Sequence, residues 1–278
     1  MEAIFENVLN IQWQQVVMWA IGAILVYLAI KKDMEPTLLL PMGFGAILVN
    51  LPLSGAVTQG AEVGILNVLF NAGIANELFP LLLFIGIGAM IDFGPLLSNP
   101  KLMLFGAAAQ FGIFFTLAMA TLLGFDLKDA ASIAIIGAAD GPTSIFVANY
   151  FHSNYLGPIM VAAYSYMALV PIVQPPVIKA ITSRKERLIR MESKNTQVTK
   201  TTRILFPLVV TAVAGIVAPR SVALIGFLMF GNLIRECGVL NSLSETAQNA
   251  LANLITLLLG LTVASQMTAE AFVRLDTL

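Results

Sequence analysis

Apolar residues gather along this chain in unbroken runs, at 11–30, 38–49, 79–91, 102–123, 130–151, 155–178, 204–218, 222–234 and 251–264. Within the runs apolar and polar positions do not alternate, so the pattern predicts helices and not the strands of a membrane barrel. One straight crossing of a bilayer takes about 20 apolar residues, yet several of these runs have only 12 to 15. Backbone that ends in hydrocarbon must find polar partners, so short segments of this kind predict helices that stop inside the membrane and line a site. The expected fold is an all-α polytopic membrane protein, a transporter with broken or re-entrant helices.

Composition agrees. Charged residues make up 11% of the 278 and hydrophobic residues 58%, whereas soluble domains carry roughly 25% charged residues. A net charge of −1 marks no partner, and no nucleic acid is expected. The distribution of charge says more. Lys179, Arg184, Lys185, Arg187, Arg190, Lys194, Lys200 and Arg203 put 8 of the 15 basic residues into one loop, 179–203, opposed only by Glu186 and Glu192. Basic loops stay on the cytoplasmic side, and Lys31–Lys32 join this one there. The stretch before Ile11 has two glutamates and neither Lys nor Arg. That places the N-terminus outside and leaves no charged leader for a cleaved signal. Cys237 and His152 are each alone in their kind, which excludes an internal disulfide and a thiolate or imidazole metal site.

An internal repeat orders the runs. "MGFGAILVN" (42–50) parallels "LMFGNLIRE" (228–236), with Phe44-Gly45 falling on Phe230-Gly231, and "FIGIGAMIDF" (84–93) parallels "LLGLTVASQM" (258–267). Chance likeness among apolar runs is the rival explanation. One copy starts outside and the other follows the cytoplasmic loop, so the two are expected to be inverted, with a site near the midplane. The expected organisation is a first membrane repeat at 1–151, a linking transmembrane helix at 152–178, the basic loop at 179–203 and a second repeat at 204–278. Asp140 lies 54 residues after Gly86, and the matching place after Gly260 falls near position 314, beyond Leu278. The second repeat is therefore expected to be incomplete here, with the rest in a longer parent chain or a partner.

"GAADGPTSIF" (137–146) puts an aspartate, two glycines and a proline into an apolar run. Gly141-Pro142 interrupts the helix and frees carbonyls before Asp140 and amides after Pro142. Asp140 adds a carboxylate, and Thr143 and Ser144 add hydroxyl oxygens. Together these are the hard-oxygen ligands that Na⁺ prefers. A carboxylate in hydrocarbon is costly when charged without a partner, so it can exchange a proton for the cation. The competing reading is a solvated turn at the membrane surface. Asp126, Lys128 and Asp129 already mark that surface, and 11 residues of helix carry Asp140 about 16 Å deeper.

Other polar residues leave alternatives open. In "YSYMALVPIVQPP" (164–176), Tyr166 reaches the same cavity or packs at the interface. Asp92 reads as a helix-end surface charge. Asn50, Asn232 and Asn253 are helix–helix contacts or cation ligands, and Asn232, at the crossing point of the repeat, is the one taken as a Na⁺ ligand. The 12 methionines are core filler rather than a soft-metal site.

These stretches occur together in one family. "GFGAILVN", "GIGAMIDFGPLLSNP", "GAAAQFGIF", "GAADGPTSIF", "AAYSYMALVPIVQPP", "SRKERLIRM" and "GNLIRECGV" resemble, in order, the β subunit of the sodium-pumping biotin-dependent decarboxylases, which act on oxaloacetate, methylmalonyl-CoA, glutaconyl-CoA or malonate. The resemblance implies a bacterial inner-membrane subunit that decarboxylates carboxybiotin and exports Na⁺, active only within its complex. The biotin is carried on a partner, a biotinylated carboxyltransferase α subunit or a separate carrier. A small γ membrane subunit and a β homo-oligomer are implied as well. The resemblance gives Asp140 the Na⁺- and proton-handling role and implicates Tyr166. Family members continue for roughly another hundred residues with a second broken helix, as the repeat also suggests. Two other readings compete: a secondary Na⁺/H⁺ antiporter without decarboxylation, and a structural scaffold that leaves Asp140 without a purpose.

Overall fold

The apolar runs become helices whose ends follow local chemistry. The computed structural model describes residues 11–60, 62–190 and 198–273. The acidic stretch before Ile11, Lys194 and Leu278 lie outside these described residues. Helix α1 (Trp13–Lys32) ends on Lys31 and Lys32, which meet the negative end of its dipole. Asp33 then turns the chain in the left-handed conformation (φ 53°), and Pro36 opens α2 (Pro36–Val49), where a missing N–H is harmless. A short α3 (Ile65–Leu69) runs through a π turn at Phe70–Ile74 and a break at 75–77 into α4 (Leu78–Met90). Then come α5 (Met103–Leu122), α6 (Leu127–Ala134), α7 (Gly141–Tyr150) and α8 (Leu156–Ile181). Thr199 caps α9 (Lys200–Val217) by accepting the Thr202 N–H at 3.3 Å, and Gly238, at φ 73°, ends α10 (Val222–Cys237). Finally α11 (Asn241–Thr246) passes through a second π turn, Ala247–Leu251, into α12 (Ala252–Ala264).

No strand occurs among the described residues; Gln59 and Glu62 form an isolated bridge. Among the described residues four helices are long and apolar enough to cross a membrane, or up to six if two bent pairs each count as one crossing. The chain is an all-α polytopic membrane protein. Apolar runs did not reveal α3, α11 or their π turns, because Asn67 interrupts the first and α11 is largely polar.

Two compact units emerge, and each draws on both halves of the sequence. The first is built from the described residues of Met1–Pro80, Gly112–Ala168 and Asn253–Leu278. Within it α1 and α2 form a hairpin so close that a Cβ on Gly22 or Gly43 would sit 2.7 Å from the other's carbonyl oxygen. Helix α12 joins this pair through Gly45, where a Cβ would lie 2.4 Å from that of Ala264. Met18, Leu39, Met42, Leu259 and Val263 are buried between these helices. Asn50 ties the end of α12 in place. Its Nδ2 donates to Ala46 O and Met267 O, both at 2.7 Å, and its Oδ1 accepts the Ala269 N–H at 2.7 Å.

The second unit comprises Leu81–Phe111 and the described residues of Leu169–Ala252. Here the hairpin is α9 with α10, and α4 joins it. A Cβ on Gly88 would lie 1.8 Å from Leu228 O, and one on Gly231 would lie 2.0 Å from Ile85 O. Small residues permit such close packing, which together with interhelical hydrogen bonds holds helices together in lipid. Phe44-Gly45 and Phe230-Gly231, aligned by the repeat, thus hold matching positions in the two units. In each, the helix that carries the pair packs on a helix that follows a π turn. Asn232 binds the end of α4 through Ile91 O (2.9 Å) and Gly88 O (3.4 Å), and Arg235 donates to Met90 O at 2.7 Å. Arg203, in the first turn of α9, stands 3.7 Å from Asp92 and 3.6 Å from Glu236.

Candidate functional site: a re-entrant hairpin with Asp140 at its tip

The run 130–151 is long enough for one crossing, yet it folds back on itself. Asp126 starts α6 by accepting the Lys128 N–H at 3.3 Å. The helix tightens to a 3-10 turn at Ile135–Ala138, Ala139 takes a left-handed conformation (φ 54°), and Asp140 is extended (φ −132°). Gly141-Pro142 then opens α7 in a new direction. A proline ring clashes with the carbonyl four residues back, which disfavours continuing α6 through Pro142, whereas the first turn of a new helix accommodates it.

The base of the hairpin is fastened by one carboxylate. Asp129, near the start of α6, accepts from Ser153 Oγ at 2.7 Å, Asn154 N at 3.0 Å and Asn154 Nδ2 at 3.1 Å, just beyond the end of α7. Phe125 and Tyr155 stack edge to face beside it, 5.4 Å between centroids. Burial pushes the Asp129 carboxyl up, but the hydrogen bonds from Ser153 and Asn154 outweigh that and hold it below the usual carboxylate range. Both ends of 127–154 therefore lie together, and Asp140 sits at the far tip. The 10 residues of α7 make the hairpin about 15 Å deep.

At the tip the candidate residues converge. The Thr143 hydroxyl donates to Asp140 Oδ2. The Asp140 carbonyl accepts both the Ser144 N–H (3.1 Å) and the Ser144 hydroxyl (2.9 Å), and Ser144 is fully buried. The Ala139 N–H returns to Ile136 O at 3.0 Å, and the Gly141 N–H meets Met167 Sδ at 3.1 Å. Three oxygen-bearing side chains thus surround one break in the backbone.

Tyr164 and Tyr166 lie two positions apart on α8, so the helical twist sends them to different sides. Tyr166 is 43% exposed. Tyr164 is 1% exposed and packs on Gly141, where a Cβ would lie 2.6 Å from its ring. Its hydroxyl is buried and has no hydrogen-bond partner. Sequence reasoning passed over this residue, although helical periodicity shows that only one tyrosine of the pair can face α7. Asn232 belongs to the second unit, fully buried, with its Oδ1 also without a partner. Asp92 lies half-exposed at the end of α4, accepting the Gly94 N–H at 2.8 Å. Asn50, with its three bonds, serves as a helix contact.

Comparison with known proteins identifies the family. A family model described as the Na⁺-transporting oxaloacetate decarboxylase beta subunit matches residues 14–278. The methylmalonyl-CoA decarboxylase subunit beta of Propionigenium modestum is 48% identical over 95% of this chain and 72% of its own length. The glutaconyl-CoA decarboxylase subunit beta of Acidaminococcus fermentans is 49% identical over 96% of this chain and 70% of its own. The oxaloacetate decarboxylase beta chain of Klebsiella pneumoniae is 40% identical over 95% and 74%. With a carboxylate and two hydroxyls at the tip of a re-entrant hairpin and the family's pattern along nearly its whole length, the chain belongs to the Na⁺-transporting oxaloacetate decarboxylase beta-subunit family.

Proposed function

We propose that this chain decarboxylates carboxybiotin, presented by a biotin-bearing partner subunit, and couples that step to Na⁺ export across a bacterial inner membrane. The observation that carries the proposal is the Asp140 tip. An ionisable group that deep is expensive unless it has a task, and here it is joined by the Thr143 and Ser144 hydroxyls and by backbone freed at the break. Carboxylate, hydroxyl and carbonyl oxygens suit Na⁺, a hard cation. In the proposed cycle Na⁺ arrives from the cytoplasmic side and displaces a proton from Asp140. That proton ends on the ureido nitrogen of biotin as its bond to the carboxyl carbon breaks and carbon dioxide leaves. Na⁺ is released outside, and a proton from outside restores the acid. Tyr166, exposed on α8, is the second group proposed to handle the proton, and Asn232 is proposed as a further Na⁺ ligand. The basic loop 179–203 faces the cytoplasm and the N-terminus faces outside, as charge bias favours.

The complex in reconstituted vesicles provides the test. Carboxybiotin-driven ²²Na⁺ uptake accompanied by carbon dioxide release is expected. Na⁺ movement driven by a pH gradient alone, with decarboxylation indifferent to Na⁺, would instead establish an antiporter.

A further inference from the structure

We infer that Tyr164 supplies a neutral oxygen to the Na⁺ held at Asp140, directly or through the ion's water. The inference rests on the proposed Na⁺ role of Asp140. Three observations carry it. The Tyr164 side chain is almost completely buried and its hydroxyl has no hydrogen-bond partner. Its ring packs on Gly141, the residue that follows Asp140 at the hairpin tip, so closely that a Cβ there would lie only 2.6–2.9 Å from ring atoms. A hydroxyl stranded in an apolar interior costs free energy, and phenylalanine would fill the same volume without that cost. A tyrosine at this position therefore has a hydroxyl oxygen to offer to a bound ion. Such an ion must offer something to a lone pair, and a hard cation beside a carboxylate does so.

The sign of the effect separates Tyr164 from a packing residue. Tyr164→Phe should leave the melting temperature of the complex in Na⁺-free buffer unchanged or raised, since it removes an unsatisfied group. The Na⁺ concentration at half-saturation should rise about tenfold, the effect of one lost hydrogen-bond-strength contact. Equilibrium ²²Na⁺ binding and the melting temperature as a function of Na⁺ are the readouts, with no substrate turnover required. Asp140→Asn is measured beside it. Unchanged Na⁺ affinity in Tyr164→Phe, while Asp140→Asn loses binding, overturns the inference and leaves the proposed function standing. Lower stability in Na⁺-free buffer with unchanged affinity makes Tyr164 a packing residue and overturns it equally. Undiminished binding in Asp140→Asn overturns the proposed function itself.

Discussion

Gly141→Ala tests whether the hairpin tip and Tyr164 are fitted to one another. The φ of Gly141 is not among the positive ones, so alanine is sterically compatible with the local backbone and, taken alone, would stabilise by about 0.4–1 kcal/mol through the unfolded chain. Tertiary contact reverses the sign. The new Cβ would lie 2.6, 2.8 and 2.9 Å from Tyr164 Cε1, Cζ and Cδ1. The ring and the tip must part by about 0.8 Å to reach ordinary contact, and overpacking of this kind costs about 1–3 kcal/mol. Displacing Asp140 by a similar distance should lower Na⁺-dependent turnover between about tenfold and about a hundredfold. The assays are thermal unfolding of the complex and Na⁺-dependent carbon dioxide release. Tyr164→Leu, which removes the obstructing ring atoms, isolates the contact: in that background Gly141→Ala should lose at least about 1 kcal/mol of its cost. A Gly141→Ala complex as stable and as active as the parent would mean that the tip and the Tyr164 ring are not fitted to one another.

Asp129→Asn should destabilise by about 2–4 kcal/mol, because one carboxylate serves three donors and the amide cannot; an unchanged melting temperature would contradict this. The folded-state value of Asp129 lies below its unfolded one, so its contribution is complete above about pH 4 and fades only as pH falls through the lower folded value. Hydrogen exchange at the Asn154 amide should accordingly stay slow, once corrected for intrinsic rate, from pH 7 down to pH 5. Asn50→Ala should cost about 2–4 kcal/mol by stranding Met267 O and the Ala269 N–H, measured as a lower melting temperature. Gly231→Ala should prevent close approach of α4 and α10, since a Cβ there meets Ile85 O at 2.0 Å; normal assembly of the variant would count against the crossing described.

The sequence made the helical class and the break at Asp140 legible because both depend on local chemistry. Continuous apolar runs admit few alternatives in lipid, and Gly141-Pro142 directly after a carboxylate is a stronger break than a proline alone, since Pro41 and Pro207 stand inside α2 and α9. The re-entrant path was not legible in the same way. It depends on Asp129 reaching Ser153 and Asn154, a contact across 24 and 25 residues that no periodicity encodes. Gly141 read as a helix breaker, yet its tightest constraint is the Tyr164 ring, which only packing reveals. The two π turns share no evident local signal in "FNAGI" and "AQNAL". They become recognisable as a pair only when α4 and α12 are seen to follow them. Phe44-Gly45 and Phe230-Gly231 were visible as a weak match, and their common purpose appears in the helices they touch.

The coupling of Na⁺ to chemistry at Asp140 is read most directly from carbon dioxide release from carboxybiotin against Na⁺ concentration, in vesicles containing the complex with Asp140→Asn. Asparagine keeps the size and one oxygen but removes the charge and the exchangeable proton. Na⁺-dependent decarboxylation should be abolished while carboxyl transfer onto biotin on the partner subunit continues. A variant that releases carbon dioxide at the parental rate, with the same Na⁺ dependence, would contradict it.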